Sequence, residues 1–555
     1  MKPVKIENFV KIYERSFIEN WDLPALTDYV TKKTMTYADV ATAIAKIHLY
    51  FNAIGLKKGD KVAICGKDSV NWVLMYMATV TYGAVIVPIL SEFNPVDVTH
   101  IVNHSEAKLF FVSKAIWEPM EPEALLNLRG AISIDDFQLL LEREGERLDH
   151  SLRQLTRRFR RTYAKGYRSE DIHYPNVPNE AVAEINYTSG TTGFSKGVML
   201  TGENLAGNVC FGMETELHYR NSRALAFLPL AHAYGCAFDM LTPLAVGSHV
   251  TLLGKTPAPR VLLKALAEVK PNLVICVPLI LEKIYKNQIL PMISKGTMRW
   301  TLAVPFLDSF IYSKIRKKLI DAFGGEFEEV IVGGAPLNHE VEDFLAKIHF
   351  PFTVGYGMTE CGPLISYTPW REFIPGSSGR TLPNMESRVD SQDPENIPGE
   401  ICVRGANVMK GYFKNPEATA AVLDEDGWLH TGDMGTRSAD GTLFLRGRSK
   451  TMILTSSGQN IYPEEIEAKL NNMPFVAESL IVDRDGKIVA LVYPDYEALD
   501  RFDVAISDLD TTMENIRKEL NKIVAPYEQV SKIILMPNEF EKTPKRSIKR
   551  FLYTR

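Results

Sequence analysis

Cysteine is scarce in this chain of 555 residues: six, at Cys65, Cys210, Cys236, Cys276, Cys361 and Cys402, without a CxxC pair or a Cys/His spacing. That scatter argues against zinc and against a disulfide framework, and it fits a reducing cytoplasm. Net charge is also scarce: 63 Lys and Arg against 68 Asp and Glu leave −5, so no whole-protein field gathers nucleic acid. A signal-peptide core is missing, because Met1 to Ile18 mixes Lys2, Lys5, Glu7, Lys11, Glu14 and Arg15 with short apolar stretches. The expectation is a cytoplasmic protein. Long hydrophobic runs are lacking too. The longest, Trp72 to Leu90, is divided by Thr79, Thr81, Gly83 and Pro88, and reads as a helix feeding a buried strand rather than a transmembrane segment. No internal repeat is apparent, and 45% hydrophobic with 24% charged residues excludes general disorder.

What is present is an alternation. The apolar runs KVAIC, AVIVPI, LFFVS, RALAFLPL, NLVICVP and EEVIVGG are separated by longer helical patterns, as in parallel sheets covered by helices, so the class is α/β. Asn71 to Val80 and Pro259 to Lys270 are crossover-helix candidates. Between Asn127 and Asn179 apolar periodicity is lost, and the stretch carries Arg153, Arg157, Arg158, Arg160, Arg161, Lys165 and Arg168 beside Leu152, Leu155, Phe159, Tyr163 and Tyr167. Such a stretch is ordinarily a solvated helix face; its functional reading is peripheral contact with an anionic membrane, or with the phosphates of coenzyme A.

The densest chemistry lies in YTSGTTGFSKGVM, Tyr187 to Met199. Ala183 to Tyr187 reads as a strand and Thr201 to Asn208 as the opening of a helix. Between them Gly190 and Gly193 permit the turns that aim N–H groups at phosphate oxygens, while Thr188, Ser189, Thr191 and Thr192 add hydroxyls and Lys196 adds charge. The spacing is not that of the P-loop.

This loop resembles the signature of the adenylate-forming superfamily of acyl-CoA synthetases, luciferases and peptide-synthetase adenylation domains. Four further segments resemble that family's motifs in order: VGYGMTECGP (354–363), GEICVRG (399–405), WLHTGDMG (428–435) and LRGRSKTMILTSSGQNIYPEEIE (445–467). The resemblance implies a large N-terminal domain, 1–448, of helix-covered, mainly parallel sheets with a β-rich subdomain. It also implies a small mobile α+β domain, 449–555, hinged near Lys450.

The resemblance further implies site roles. The residues Thr188, Ser189, Gly190, Thr191, Thr192, Gly193 and Lys196 would hold phosphates, Thr359 would join them, and Glu360 would bind Mg2+. Tyr356 would pack on adenine, with the backbone of Gly333, Gly334 and Ala335 close to the base and Gly357 and Met358 in the same motif. Asp433 would accept from the ribose hydroxyls, assisted by Arg448. His232 matches a position beside the acyl carboxylate, although a histidine in an apolar segment is as readily a satisfied core residue. Gly458 would border the pantetheine channel, or be a plain turn glycine.

One departure stands out. The family's C-terminal lysine, in a pattern like TPxxKIxR, is replaced by Ser547 in TPKRSIKR. If the segment is extended, positions 545, 547 and 549 share a face, so Lys545 or Lys549 would take the role. The implied reaction is ATP-dependent: a carboxylic acid, a medium- or long-chain fatty acid foremost, becomes acyl-AMP with loss of pyrophosphate, and coenzyme A then displaces AMP. Two alternatives remain, an acyl-AMP ligase that loads an acyl carrier protein and a noncatalytic nucleotide- or acyl-binding homologue.

Overall fold

The computed structural model describes residues 4–188, 196–293, 307–454, 460–484, 486–543 and 547–554. An eight-stranded sheet runs in the spatial order Gly411–Tyr412, Lys196–Thr201, Val182–Thr188, Val85–Ile89, Lys61–Cys65, Leu109–Val112, Gly130–Ser133, Leu139–Glu142. Its middle strands pair in parallel and its two ends antiparallel. The apolar runs form the middle strands because strands buried on both faces need no polar alternation. Between two of them, Val70–Tyr82 is a helix: the Ser69 side chain accepts from Trp72 N, and Gly83 ends the helix at φ 87°, a left-handed conformation glycine adopts freely. The Trp72 to Leu90 run is therefore a helix and a core strand, and among the described residues no helix is long and apolar enough to cross a membrane.

A second sheet joins Arg223–Ala226, His249–Leu252, Pro24–Asp28 and Thr34–Thr36. RALAFLPL contributes only Ala226 and the residues before it to a strand; Pro229 then turns the chain, its carbonyl accepting from His232 N at 3.0 Å. A third sheet is wholly parallel: Leu273–Cys276, Glu329–Val332 and Phe352–Val354. The β-rich part is an antiparallel sheet of Met385–Asp390, Gly399–Gly405, Leu429–Arg437 and Leu443–Arg448. One apolar core extends from Phe9 to Leu443, and two smaller ones draw only on residues from 453 onward.

The expectation of lost periodicity over 127–179 is corrected. Leu148–Thr162 is a helix whose Leu148, Leu152 and Leu155 face the main core, and Phe159, four residues on, packs on Tyr163 and Tyr167. The arginines between them masked the stripe. Arg157, Arg158, Arg160 and Arg161 are exposed.

Candidate active site

Strands Val182–Thr188 and Lys196–Thr201 pair antiparallel with Thr188 opposite Lys196, so the two ends of the phosphate-loop motif lie side by side. Ser189, Gly190, Thr191, Thr192 and Gly193 lie outside the described residues. The following helix is Gly202–Glu214, with Thr201 as its cap: its side chain accepts from Asn204 N, and Asn204 returns the bond to Thr201 N.

Tyr356–Gly357 and Leu364–Tyr367 form a hairpin that carries Thr359 and Glu360 at its tip. Gly357 is required there, since a Cβ would stand 2.3 Å from Pro363 O. Met358 N–H closes the tip by donating to Pro363 O at 2.9 Å. Asn208 locks it from the helix, donating to Cys361 O at 3.1 Å and accepting from Leu364 N at 2.9 Å while fully buried. Asn208→Leu keeps the branching, though it is bulkier, and strands both backbone groups. Each costs about 1–3 kcal/mol, so urea unfolding is expected to show a loss of about 2–6 kcal/mol for the two.

From the hairpin two side-chain connections run in opposite directions. Toward the loop, Tyr412 Oη donates to Glu360 Oε1 at 2.9 Å, and the ring of Tyr412 receives the Lys196 ammonium 4.7 Å from its centroid. Tyr412 reaches this place because Gly411–Tyr412 pairs with Lys196–Thr201 as an edge strand. Toward the β-rich sheet, Tyr356 Oη donates to Asp433 Oδ2 at 2.7 Å, and Arg448, opposite Asp433 in the strand register, places Nε 3.1 Å from Oδ1. Burial raises the Asp433 carboxyl above its ordinary value, and Arg448 and Tyr356 draw it back.

Gly334 (φ 85°) and Ala335 are exposed just beyond the C-terminal end of Glu329–Val332, where parallel sheets present ligand crevices. Gly333 packs against Tyr234, whose hydroxyl donates to Ile331 O at 3.1 Å. His232 is half-buried in a loop tied down from two sides: Asn186 Nδ2 donates to Ala231 O at 3.1 Å, and Leu230 N–H donates to Asp68 Oδ1 at 3.0 Å. Burial, with Glu92 nearby, raises Asp68 to about 7. The folded chain therefore holds a proton that the unfolded chain releases near 3.8, and this stability, complete below about pH 4, is lost as pH rises through about 7. Within that window the slope is roughly 1.4 kcal/mol for each tenfold fall in proton concentration. Asp68→Asn is expected to reduce the pH slope of stability by this amount, Glu329 and Glu467, likewise raised to about 7 by burial, keeping the rest; urea unfolding at pH values on either side of the window reads it, and an unchanged slope contradicts the assignment.

Lys450 is exposed in a turn pinned on both sides, by Ser449 N–H to Gly432 O (2.9 Å) and by Thr451 Oγ1 to Glu464 Oε1 (2.8 Å). Gly458 and Lys545 lie outside the described residues. The extended C-terminal segment is corrected: Lys542 and Ile548 bridge antiparallel, Thr543 N–H donates to Ser547 O at 2.8 Å, and the chain doubles back. Ser547 is exposed, and Lys549 Nζ lies 3.5 Å from Glu541 Oε2. Lys542 and Thr543 thus lie alongside Ser547 and Ile548 rather than in line with them, so the stretch is not one extended strand.

Sequence reasoning missed Tyr412 and Asn208. The polar Asn204 and Asn208, four apart on a buried helix, were the readable signal; Tyr412 had none, since only strand pairing brings it to Glu360.

The model of the AMP-binding enzyme family matches residues 14–413. The chain is 28% identical over 570 residues to a long-chain-fatty-acid–CoA ligase of Mycobacterium bovis, covering 93% of this chain and 90% of that one. It is also 28% identical over 542 residues to 4-coumarate-CoA ligase 1 of Narcissus pseudonarcissus, covering 93% and 87%. Its fold is similar to that of an anthranilate CoA ligase in complex with anthranoyl-AMP (TM-score 0.78, 19% identity, 100% of this chain and 97% of that one). It is similar as well to the O-succinylbenzoate coenzyme A synthetase of Bacillus subtilis with ATP and magnesium ion (TM-score 0.73, 21% identity, 99% of each). With the signature segments gathered around one hairpin and the family match spanning most of the chain, the protein belongs to the AMP-binding enzyme family, the adenylate-forming ligases.

Proposed function

We propose that the protein is an acyl-CoA ligase that condenses a fatty acid of medium or long chain with ATP to acyl-AMP and pyrophosphate, then transfers the acyl group to coenzyme A and releases AMP. One observation carries the reading: a single hairpin holds Glu360 against Tyr412, whose ring meets Lys196, at one end and Tyr356 against Asp433, which Arg448 pairs, at the other. That arrangement suits a nucleotide whose phosphates and ribose must be fixed relative to each other. The acid is ionised near pH 7, so its attack needs cancelled charge and alignment rather than a general base. Lys196 supplies positive charge at the phosphates, Asp433 accepts from the ribose hydroxyls, and Thr359 and the loop 188–193 donate to phosphate oxygen. Glu360 offers the hard oxygen donor that Mg2+ prefers, and bound there the ion supplies further charge neutralisation. His232 stands beside the acyl carboxylate. Fatty over aryl acids is the finer part of the proposal.

For the second step, residues 449–555 swing about Lys450. Contacts of this part with the larger body support such a motion because they are polar: Asn472 Nδ2 donates to Asn338 Oδ1 at 2.9 Å, and Lys286 lies 3.6 Å from Asp495. Gly458 borders the pantetheine channel. Lys545 or Lys549 takes the part of the absent lysine; if alanine at both leaves acyl-AMP formation untouched, that assignment is wrong. Cytoplasmic residence with peripheral contact through Arg157, Arg158, Arg160 and Arg161 completes the reading, and unchanged liposome binding after their neutralisation removes the membrane part.

The test is mass spectrometry of products after incubation with Mg-ATP, coenzyme A and equimolar fatty and aryl acids. A dominant fatty acyl-CoA is expected. A dominant aryl-CoA corrects the substrate; acyl-AMP converted only with a carrier protein present corrects the acceptor. Tight ATP binding with no product from any acid makes Ser547 the mark of a noncatalytic homologue.

A further inference from the structure

The β-rich sheet carries a second group of reactive side chains that the ligase reaction does not use. Arg388 pairs with Cys402, Asp390 with Glu400, and Cys402 with His430 across three neighbouring strands. Alternate residues of a strand share a face, so Asp390, Glu400, Cys402 and His430 project together. The thiol of Cys402 lies 3.4 Å from His430 Nδ1 and 3.5 Å from Asp390 Oδ2. One donor atom from each of Asp390, Cys402 and His430 falls within 4.8 Å of the other two.

We propose that Cys402, His430 and Asp390 form a zinc site. With Zn–S about 2.3 Å and Zn–N or Zn–O about 2.1 Å, a tetrahedral angle separates sulfur from nitrogen or oxygen by about 3.6 Å, close to the two spacings found. Thiolate with imidazole selects zinc over magnesium or calcium, which take oxygen donors. The surroundings are also those of a ligand set. Asp424 Oδ2 lies 3.8 Å from His430 Nε2, on the side from which a carboxylate orients a ligating imidazole. Arg388 Nε lies 3.2 Å from Asp390 Oδ1, leaving Oδ2 toward the thiol. Cys402 is buried, His430 half-buried and Asp390 exposed, so the ion enters from the Asp390 side and solvent completes the tetrahedron. Cys402 and His430 stand 28 positions apart, which hides the pair from any spacing rule and explains why the sequence argued against zinc.

The ion ties together strands 385–390, 399–405 and 429–437, the last of which carries Asp433. Glu400 Oε2, 3.1 Å from His430 Nδ1, gives up that contact when the nitrogen takes the ion, while its Oε1 accepts from Gly432 N at 2.9 Å. The site stands apart from nucleotide binding and is tested without ATP or acid.

The experiment titrates the full chain, stripped of metal, with Co2+ and follows near-ultraviolet absorption. A thiolate-to-cobalt charge-transfer band saturating at one equivalent, and discharged by Zn2+, is expected. Cys402→Ser removes the band, Cys361→Ser keeps it, and the exposed-site variant Asp390→Asn weakens Co2+ binding at least roughly tenfold. Absence of the band in the wild-type chain, its survival in Cys402→Ser, or its loss in Cys361→Ser overturns the proposal.

Discussion

Glu360→Gln is expected to slow acid-dependent pyrophosphate release by on the order of 10²- to 10³-fold, the size of effect seen when one electrostatic element aimed at a transition state is removed. The substitution is nearly isosteric, and the amide oxygen still accepts from Tyr412 Oη, which now bonds Glu360 Oε1 at 2.9 Å. The backbone bond from Met409 N–H to Glu360 O, 2.8 Å, is untouched, so the hairpin tip persists. What vanishes is the charge. Tyr412→Phe leaves that charge and removes only its positioning bond, a loss of about 1.5–3 kcal/mol, or roughly 10- to 100-fold. The discriminating readout is rate against magnesium concentration: Glu360→Gln is expected to require more magnesium and still not recover, whereas Tyr412→Phe recovers in part. A glutamine variant within threefold of wild type at every magnesium concentration removes Glu360 from the reaction.

Asp433→Asn is expected to raise KM for ATP about 100-fold while leaving much of kcat at saturation. A buried carboxylate accepting from two hydroxyls contributes about 1.5–3 kcal/mol per charge-assisted bond, and the amide retains one acceptor at most. Tyr356 and Arg448 orient that carboxylate at 2.7 and 3.1 Å. Tyr356→Phe and Arg448→Ala should therefore each reproduce part of the effect and combine non-additively with Asp433→Asn, as residues of one network do. The specific signature is 2′-deoxy-ATP. Wild type should discriminate strongly against it, and Asp433→Asn should not; preserved discrimination means that the ribose is read elsewhere.

Much of this was legible in the sequence, for physical reasons. Buried parallel strands such as Lys61–Cys65 and Val85–Ile89 announce themselves as unbroken apolar runs, and the helix from Gly202 is announced by its Thr201 and Asn204 cap. The motifs were legible because close backbone approach admits few residues: glycine at 357, for instance, where any side chain meets Pro363 O. The solvated helix face of Leu148–Thr162 was the ordinary reading of that stretch, but its buried side was not legible, because the apolar stripe is narrow and arginines crowd it. Nor was the antiparallel bridge of Lys542 to Ile548, where alternation along one extended segment was expected. Contacts across sequence gaps, such as Tyr412 on Glu360 and Cys402 on His430, require strand pairing before they exist at all. The roles of Lys196, Glu360, Asp433 and their neighbours rest on motif and geometry together, and substitution is what tests them.

The decisive measurement is acid-dependent exchange of labelled pyrophosphate into ATP with coenzyme A left out. It reports the first half-reaction alone, because label enters ATP only if acyl-AMP forms reversibly. Exchange that requires a fatty acid and magnesium, and that collapses in Glu360→Gln, is the expected result. ATP that binds but exchanges no label with any fatty or aryl acid would contradict adenylate formation by this chain.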